Sequence, residues 1–344
     1  MPNKHLLSRR AFATRALAAG ASFIGASSGE AQEAWPGGRP VSIIVSFAPG
    51  GSTDVIARIL AQQLTQHIGA NFVVENRPGA SGTIGMASVA RARPDGHTLV
   101  FSGGGTYSMV GHLYPRRGYD EETSFDPIGA VTTSSIFMCV NPRLGIADIP
   151  AFIARAKAEP GRMSYGSSGA GGSAHVATEL FLGDAGIEVE SVTYRGGAPA
   201  LQALVAGEVQ MAFVEAVSAL PLIRSGEILG IGVSSAERNP LAPEIPAIGE
   251  FLPGYECTTI TALFAPAGTP ELILRRLYQG IVAAMNSPDI VAQLRAGAVF
   301  PKLMPAAEFR PYLAAERHKW GEVIRARNIR VQLCGSHLIY KHKG

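Results

Sequence analysis

Three glycine-rich segments of this sequence follow apolar runs and lead into helix-like stretches, an order of residues that can bind an anion. The first is PGGST, residues 49–53. The start of a helix offers unpaired backbone N–H groups and the positive end of the helix dipole. Gly50 and Gly51 permit close approach of the backbone, and Ser52 or Thr53 can donate a hydroxyl. This loop therefore predicts an anion site.

The predicted anion is a carboxylate rather than a nucleotide phosphate. Walker-type phosphate loops add a lysine and a Ser/Thr after their glycines, and residues 49–53 have no such lysine. Asp54 in the first helical turn suits the helix dipole, but its charge would repel an anionic ligand. We therefore expect the Asp54 side chain to turn back into the loop.

Two further segments repeat the construction, SYGSSGAGGSAH at 164–175 and YRGGAP at 194–199. Pro199 is well suited to a first helical turn. A single turn of this kind can use glycine for purely structural reasons. Three of them favour a shared cleft at the carboxyl ends of parallel strands.

Catalytic interpretations have weaker support in the residue pattern. Ser168 lacks the G-x-S-x-G spacing of a nucleophile elbow and has no evident His and Asp partners. His175 and Glu179 stand four residues apart and could bind a metal, yet no second histidine pair or cysteine cluster supports them. A hydrogen-bonded histidine near a helix start is the preferred interpretation. We predict no cofactor, no metal and no enzymatic activity.

The elements that must position these loops alternate between apolar strands and amphipathic helices. This alternation predicts an α/β fold of parallel strands joined by right-handed crossovers. After a proline-spaced connector and a strand, the C-terminal part is predicted to be helical. The predicted strands are 41–47, 72–75, 98–102, 163–166, 189–194, 211–214, 229–234 and 258–264, and the predicted helices are 54–67, 83–93, 148–157, 173–182, 199–206, 216–224, 271–285, 289–295 and 306–327.

Composition and charge narrow the class of protein. The chain has 344 residues, 47% hydrophobic and 17% charged, which favours a soluble two-domain α/β protein. Residues 1–34 begin with a basic region and a short apolar stretch, too short to span a bilayer, and predict an export signal. Residues 8–12, SRRAF, resemble a twin-arginine signal, with an ordinary secretory signal as the alternative. Without residues 1–31 the chain keeps 26 basic and 26 acidic residues, so no basic field indicates nucleic acid.

Ordered motifs along the chain resemble one known family, the solute receptors of tripartite tricarboxylate transporters, also called Bug-type periplasmic binding proteins. The resemblance covers about residues 35–332. The matching motifs are WP (35–36), FAPGGSTD (47–54), VVENRPGA (73–80), VARARPDG (89–96), YGSSG (165–169), SAHVATELF (173–181), YRGGAPA (194–200), AGE (206–208), RSGE (224–227) and APAGTP (265–270).

The resemblance implies a periplasmic binding protein type 2 fold, with two α/β lobes, a ligand cleft between them and two crossover segments. Residues 35–137 and 260–332 would form lobe 1, residues 138–259 lobe 2, and residues 333–344 a disordered extension. Cys139 and Cys257 would lie on the two neighbouring crossovers. We expect two buried free thiols there, with a disulfide as the alternative.

The resemblance further implies a periplasmic receptor that captures a small organic carboxylate by lobe closure. It would deliver that ligand to the membrane permease subunits of a tripartite transporter, as a monomer and without nucleic acid. The alternative is an extracytoplasmic sensing module that acts with a sensor kinase. The residues expected to bind the ligand are Phe47, Pro49, Gly50, Gly51, Ser52, Thr53, Asp54, Ser102, Gly103, Ser167, Ser168, Gly172, Ser173, Tyr194, Gly196, Gly197, Ala198, Val214 and Glu215.

The sequence departs from the family pattern near the expected pocket. Val214 and Glu215 stand where the family usually has an acidic or amide pair, and Ile260 and Ala262 replace a tryptophan and a glycine. Glu215 could bind an ammonium or hydroxyl group of the ligand. Val214 would make the pocket more apolar and favour an aromatic or aliphatic monocarboxylate. The choice between such a ligand and a di- or tricarboxylate stays open.

Overall fold

The computed structural model describes residues 35–167, 171–194, 196–326 and 329. The predicted export signal, Ser168 and the C-terminal extension 333–344 lie outside the described residues. Residues 35–37 form part of a turn and belong to a different unit from the residues that follow. Everything that follows concerns the unit that begins at Gly38.

The first half of the fold is an open sheet with parallel strands on one side and antiparallel strands on the other. Strand β1 lies between β2 and β3 and runs parallel to both. Strand β9 is antiparallel to β3, and on its other side it is antiparallel to β4. The bounds are β1 Val41–Val45, β2 Phe72–Asn76, β3 Thr98–Gly103, β4 Phe125–Val140 and β9 Thr258–Pro266.

Strand β4 joins the first half to the second, because its 16 residues are shared between them. Up to Ser135 it pairs with β9 and with β10, Val299–Pro305. From Ile136 onward it pairs with strands β7 and β8 of the second half. In the second half β5 lies parallel to both β6 and β7. The bounds are β5 Ser164–Ser167, β6 Glu190–Thr193, β7 Met211–Glu215 and β8 Leu229–Val233.

The helices begin and end where local signals place them. Helix α1 ends at Gly69, which takes the left-handed conformation. Asp148 caps α5 by accepting a 2.7 Å hydrogen bond from the Ala151 N–H. None of the described helices has the length and apolarity to cross a membrane. The bounds are α1 Ser52–Ile68, α2 Thr83–Ala90, α3 Gly104–Ser108, α4 Val110–Leu113, α5 Ile149–Ala158, α6 Ser173–Ala185, α7 Gly197–Ala206, α8 Ala216–Ser225, α9 Glu271–Met285, α10 Pro288–Ala296 and α11 Ala306–Ala326.

Two expectations about the sheets were wrong. The α/β class is correct, but five of the nine pairings among the described strands are antiparallel rather than parallel. The C-terminal part is not purely helical, because β10 lies between α10 and α11. Strand β10 contains Pro301 and Pro305, which break the usual strand pattern, and its register shifts between Pro301 and Met304.

The hydrophobic core crosses from one half to the other. Trp320 and Ile324 of the C-terminal helix α11 pack in one cluster with Phe152 and Phe181 of the second half. Cys257 lies in this cluster, whereas Cys139 lies in a different one. Both thiols are buried and free, as expected, and burial raises the pKa of each. The lobe boundaries 137/138 and 259/260 stay a prediction, although β4 changes partners close to the first of them.

Candidate functional site

A cavity of about 80 Å³ lies where helices α1, α6, α7 and α8 begin, and we call it the helix-start cavity. Helix α1 belongs to the first half, and the other three helices belong to the second. The lining residues are Phe47, Ala48, Pro49, Gly51, Ser52, Thr53, Gly103, Gly105, Thr106, Gly172, Ser173, Ala174, Gly197, Ala198, Ala200, Phe213, Val214, Glu215, Ser218 and Thr259.

The four helices lack side-chain caps at this end. Three of the N-cap positions are held by glycines, which have no side chain to accept a hydrogen bond: Gly51, Gly172 and Gly196. The fourth is held by Glu215, whose side chain accepts no hydrogen bond from the following turn. Each helix is at least ten residues long, so each start carries unpaired N–H groups and about half a positive charge. An anion in the cavity would satisfy those groups.

Basic side chains do not supply the positive charge of the described part of this site. Among the described lining residues there is no Lys, Arg or His, and Glu215 is the only group that carries charge. Arg195 lies outside the described residues. The positive character of the described cavity therefore comes from backbone, and a carboxylate fits its strength better than a polyphosphate.

Glu215 is the last residue of β7 and is partly buried. The Ser134 hydroxyl donates to its Oε2 at 3.3 Å, and the Thr259 hydroxyl donates to its Oε1 at 3.0 Å. Burial raises the pKa of Glu215 to about 7, and the two hydroxyl donors only partly oppose this shift. Ser134 lies on β4 and Thr259 on β9, so Glu215 contacts both strands that connect the halves.

Asp54 turns back into its own loop, which confirms the expectation. Its Oδ2 accepts from the Gly50 N–H at 3.0 Å, and its carboxylate also contacts Arg58 and the Asn76 amide. Burial by itself would raise the pKa of Asp54, but the hydrogen bonds from Arg58, Gly50 and Asn76 outweigh it and lower the pKa. Asp54 therefore shapes the loop and does not line the cavity.

The two halves touch directly beside the cavity. The Gly105 N–H at the start of α3 donates to the Ser173 hydroxyl at 2.9 Å. A side chain at Gly105 would place its Cβ 2.5 Å from the Ser173 backbone nitrogen, so only glycine permits this approach. The start of α3 in the first half is thereby held against the start of α6 in the second.

His175 has a structural role, as the sequence indicated. It is 1% exposed, and its Nδ1 accepts from the Gly171 N–H at 3.1 Å. Its Nε2 lies 3.7 Å from Glu179, which accepts a 2.6 Å hydrogen bond from Tyr165. No group of three or more potential ligands among the described residues could hold a metal. His175 thus holds Gly171 in place just before α6.

The structure brings together twelve of the expected ligand-binding residues. Ser168 lies outside the described residues. The expected residues that line the cavity are Phe47, Pro49, Gly51, Ser52, Thr53, Gly103, Gly172, Ser173, Gly197, Ala198, Val214 and Glu215, and those that do not are Gly50, Asp54, Ser102, Ser167, Tyr194 and Gly196.

Sequence reasoning missed several lining residues for understandable reasons. Ser218 lies in the first turn of α8. It could have been found by extending the expected site through that first helical turn. Thr259 comes from a strand distant in sequence and carries no local signal.

Comparison with known proteins gives a consistent result. The sequence profile of the tripartite tricarboxylate transporter family receptor matches residues 56–329. Protein BugT of Bordetella pertussis is 33% identical over 289 residues, which cover 83% of this chain and 89% of BugT.

Two solved structures from Rhodopseudomonas palustris share the fold. Rpa4515, solved with adipate, is 32% identical with a TM-score of 0.83, and the match covers 86% of this chain and 99% of that one. MatC, solved with bound malate, is 28% identical with a TM-score of 0.80, over 83% of this chain and 99% of that one. The fold is therefore that of periplasmic binding proteins of this type.

Proposed function

Because the chain belongs to the tripartite tricarboxylate transporter receptor family, we propose that it captures a small organic carboxylate in the periplasm. It then delivers this ligand to the membrane permease subunits of a tripartite transporter. Members of the family are transport receptors, so the chain is a binding protein and not an enzyme. The carboxylates in the two R. palustris structures support the ligand class.

One observation carries this proposal. Four helices of ten or more residues start at one small cavity without side-chain caps, and no described basic side chain lines it. The ligand carboxylate would accept hydrogen bonds from backbone N–H groups and from hydroxyls such as those of Ser52 and Thr53.

Lobe closure is part of the proposal. The cavity wall combines α1 of the first half with α6, α7 and α8 of the second. A ligand that contacts both walls binds the closed arrangement better than an open one, and binding therefore shifts the population toward closure.

The test is a titration of the purified protein, freed of copurified ligand by partial unfolding and refolding. Calorimetry with butanoate, benzoate, succinate, adipate, malate, citrate, 4-aminobutanoate and 2-aminobutanoate should find at least one ligand with micromolar affinity. At about 100 times its Kd that ligand should stabilise the protein by about 2.7 kcal/mol. Absence of binding by every carboxylate, or turnover of a bound one, would contradict the proposal.

Two substitutions test whether the ligand binds in the helix-start cavity. Thr53→Val removes a hydroxyl from the cavity with little change of volume and should weaken binding about tenfold, because a charge-assisted hydrogen bond is lost. The matched control is Ser225→Ala, which removes an exposed hydroxyl at the C-terminal end of α8. This variant should bind the ligand like the natural protein. Equal affinities of the two variants would place the ligand elsewhere.

A further inference from the structure

Glu215 is an unusual residue for a cavity that attracts anions. Its carboxyl group faces the same small space as the starts of α1, α6 and α7. Its hydrogen-bond partners are the neutral hydroxyls of Ser134 and Thr259. No Lys, Arg or His among the described residues acts on it as a charge partner.

A carboxylate in this position is left without a cation. Burying a charged group without an opposite charge is costly, and the protein relieves the cost by raising the pKa of the group or by adding a cation from outside. The described lining of the cavity contains no Lys, Arg or His, and the partners of Glu215 are neutral hydroxyls, so the described surroundings do not supply that cation. A bound ligand can supply it.

The cavity as a whole has a positive and a negative side. Helix starts around Ser52, Ser173 and Ala198 provide uncapped N–H groups, and Glu215 provides a carboxyl group. A volume of about 80 Å³ is room for about five to eight water molecules. One ligand of similar size therefore reaches both sides at once.

We infer that Glu215 makes this receptor select small aminocarboxylates, with the ligand carboxylate at the helix starts and the ligand ammonium at Glu215. This inference rests on the proposed function and names its substrate class. The ammonium replaces the missing cation, and the Ser134 and Thr259 hydroxyls hold the Glu215 carboxylate in place. A dicarboxylate would instead bring a second negative charge against Glu215 and would have to share a proton with it.

The experiment compares isosteric ligands on two proteins at pH 7.5. 4-Aminobutanoate is paired with pentanoate, 2-aminobutanoate with 2-methylbutanoate, and glutarate and succinate complete the series. Calorimetry should show at least one aminocarboxylate binding the natural protein ten or more times tighter than its apolar partner. In Glu215→Gln the same preference should fall to threefold or less, while the apolar partner keeps its affinity within about threefold.

Controls separate this inference from the proposed function. Glu227→Gln, an exposed substitution just after α8, should keep the preference, and the unfolding temperature of Glu215→Gln checks that this variant is folded. If carboxylates bind but neither aminocarboxylate exceeds its partner, or if Glu215→Gln keeps the preference, the inference is wrong and the proposed function stands. Tighter binding of glutarate or succinate than of both aminocarboxylates has the same meaning. If no carboxylate binds either protein, both fail.

Discussion

The helix-start cavity differs in construction from a second cavity, of about 470 Å³, in the first half of the molecule. The second cavity lies between α3, α4, the segment 117–122 and α11, and we call it the ion-pair cavity. Its lining includes Arg117, Glu121, Glu122, Arg317 and other charged side chains. The larger cavity is thus charged by side chains, and the smaller one mainly by backbone.

Opposite charges in the ion-pair cavity are already paired. Arg117 contacts Glu121, and Arg317 lies 3.1 Å from Glu122. The Arg117 and Glu121 side chains are 17% and 6% exposed, so this pair is largely withdrawn from water. Their remaining polar atoms, the Arg117 Nε and the Glu121 Oε1, have no protein partner. Ordered water suits such a space.

From this comparison we expect that the pairing of charges, and not their number, decides the affinity of a cavity for an ion. Charged side chains that can reach one another neutralise one another, whereas the N–H groups at a helix start cannot pair with each other and stay available. We therefore expect the cavity with the fewer charges to bind the ligand. Four substitutions test this contrast.

The largest expected effect is a loss of stability when an ion pair of the ion-pair cavity is broken. Arg117→Ala leaves the buried Glu121 carboxylate without its partner and should lower the free energy of unfolding by about 3–5 kcal/mol. Urea unfolding measures the loss. Arg275→Ala removes an exposed pair and should change stability by less than about 1 kcal/mol. Ligand affinity should be unchanged in both, and a loss of affinity in the folded Arg117 variant would make the ion-pair cavity part of the site.

The next largest effect is the pH dependence of stability that Glu215, the carboxyl group in the lining of the helix-start cavity, produces. The folded-state pKa of Glu215, about 7, lies above the ordinary value of 4.5, so the folded protein binds the extra proton between these values. Glu215 therefore contributes about 3 kcal/mol to the free energy of unfolding below pH 4.5. This contribution is lost as the pH rises to about 7.

The difference in unfolding free energy between the natural protein and Glu215→Gln isolates this contribution. His175 has the opposite slope, because burial lowers its pKa and the unfolded state takes up its proton below about pH 6.5. It is present in both proteins and cancels. A difference that stays constant from pH 4.5 to 7 would show that Glu215 is not buried as described.

The third test adds the same negative charge to each cavity in turn. Ala198→Asp places a carboxylate in the first turn of α7 and should weaken carboxylate binding at least about a hundredfold, or about 2.7 kcal/mol, by repulsion and by occupying the N–H groups. Ala314→Asp adds the same charge to the ion-pair cavity and should leave binding unchanged. Similar losses in the two variants would mean that net charge, not the helix starts, governs affinity.

The smallest effect tests how the two halves approach each other at the helix-start cavity. Gly105→Ala forces the Ser173 backbone away and should cost about 1–3 kcal/mol of stability and weaken binding. Gly197→Ala adds a methyl group where no atom lies within 4 Å, and its stability should not fall. Equal stability of the two variants in thermal unfolding would contradict the close contact.

Local elements could be predicted from the sequence because their signals are local. The bounds expected for α9 match those observed, since an amphipathic pattern begins directly after Pro270. Gly69 marks the end of α1 in the sequence and in the structure. The three glycine loops were found in the same way, because strand, glycine turn and helix lie next to each other in the chain.

Pairing over long distances could not be predicted in the same way. Strand β4 was missed because Pro127 and Gly129 interrupt its apolar pattern, and the fold accommodates them by shifting the register with β9. Thr259 reaches the cavity only because β9 lies against β4. Such contacts depend on which strands pair, and no short stretch of residues encodes that choice.

The position of β9 between β3 and β4 has a consequence for synthesis. Residues 258–266 leave the ribosome long after β3 and β4, and until then neither strand has its partner on the facing edge. At roughly 5–20 residues per second, the ribosome needs about 6–25 s to extend the chain from the end of β4 to the end of β9. During that interval β3 and the first part of β4 expose open strand edges, which other chains can pair with.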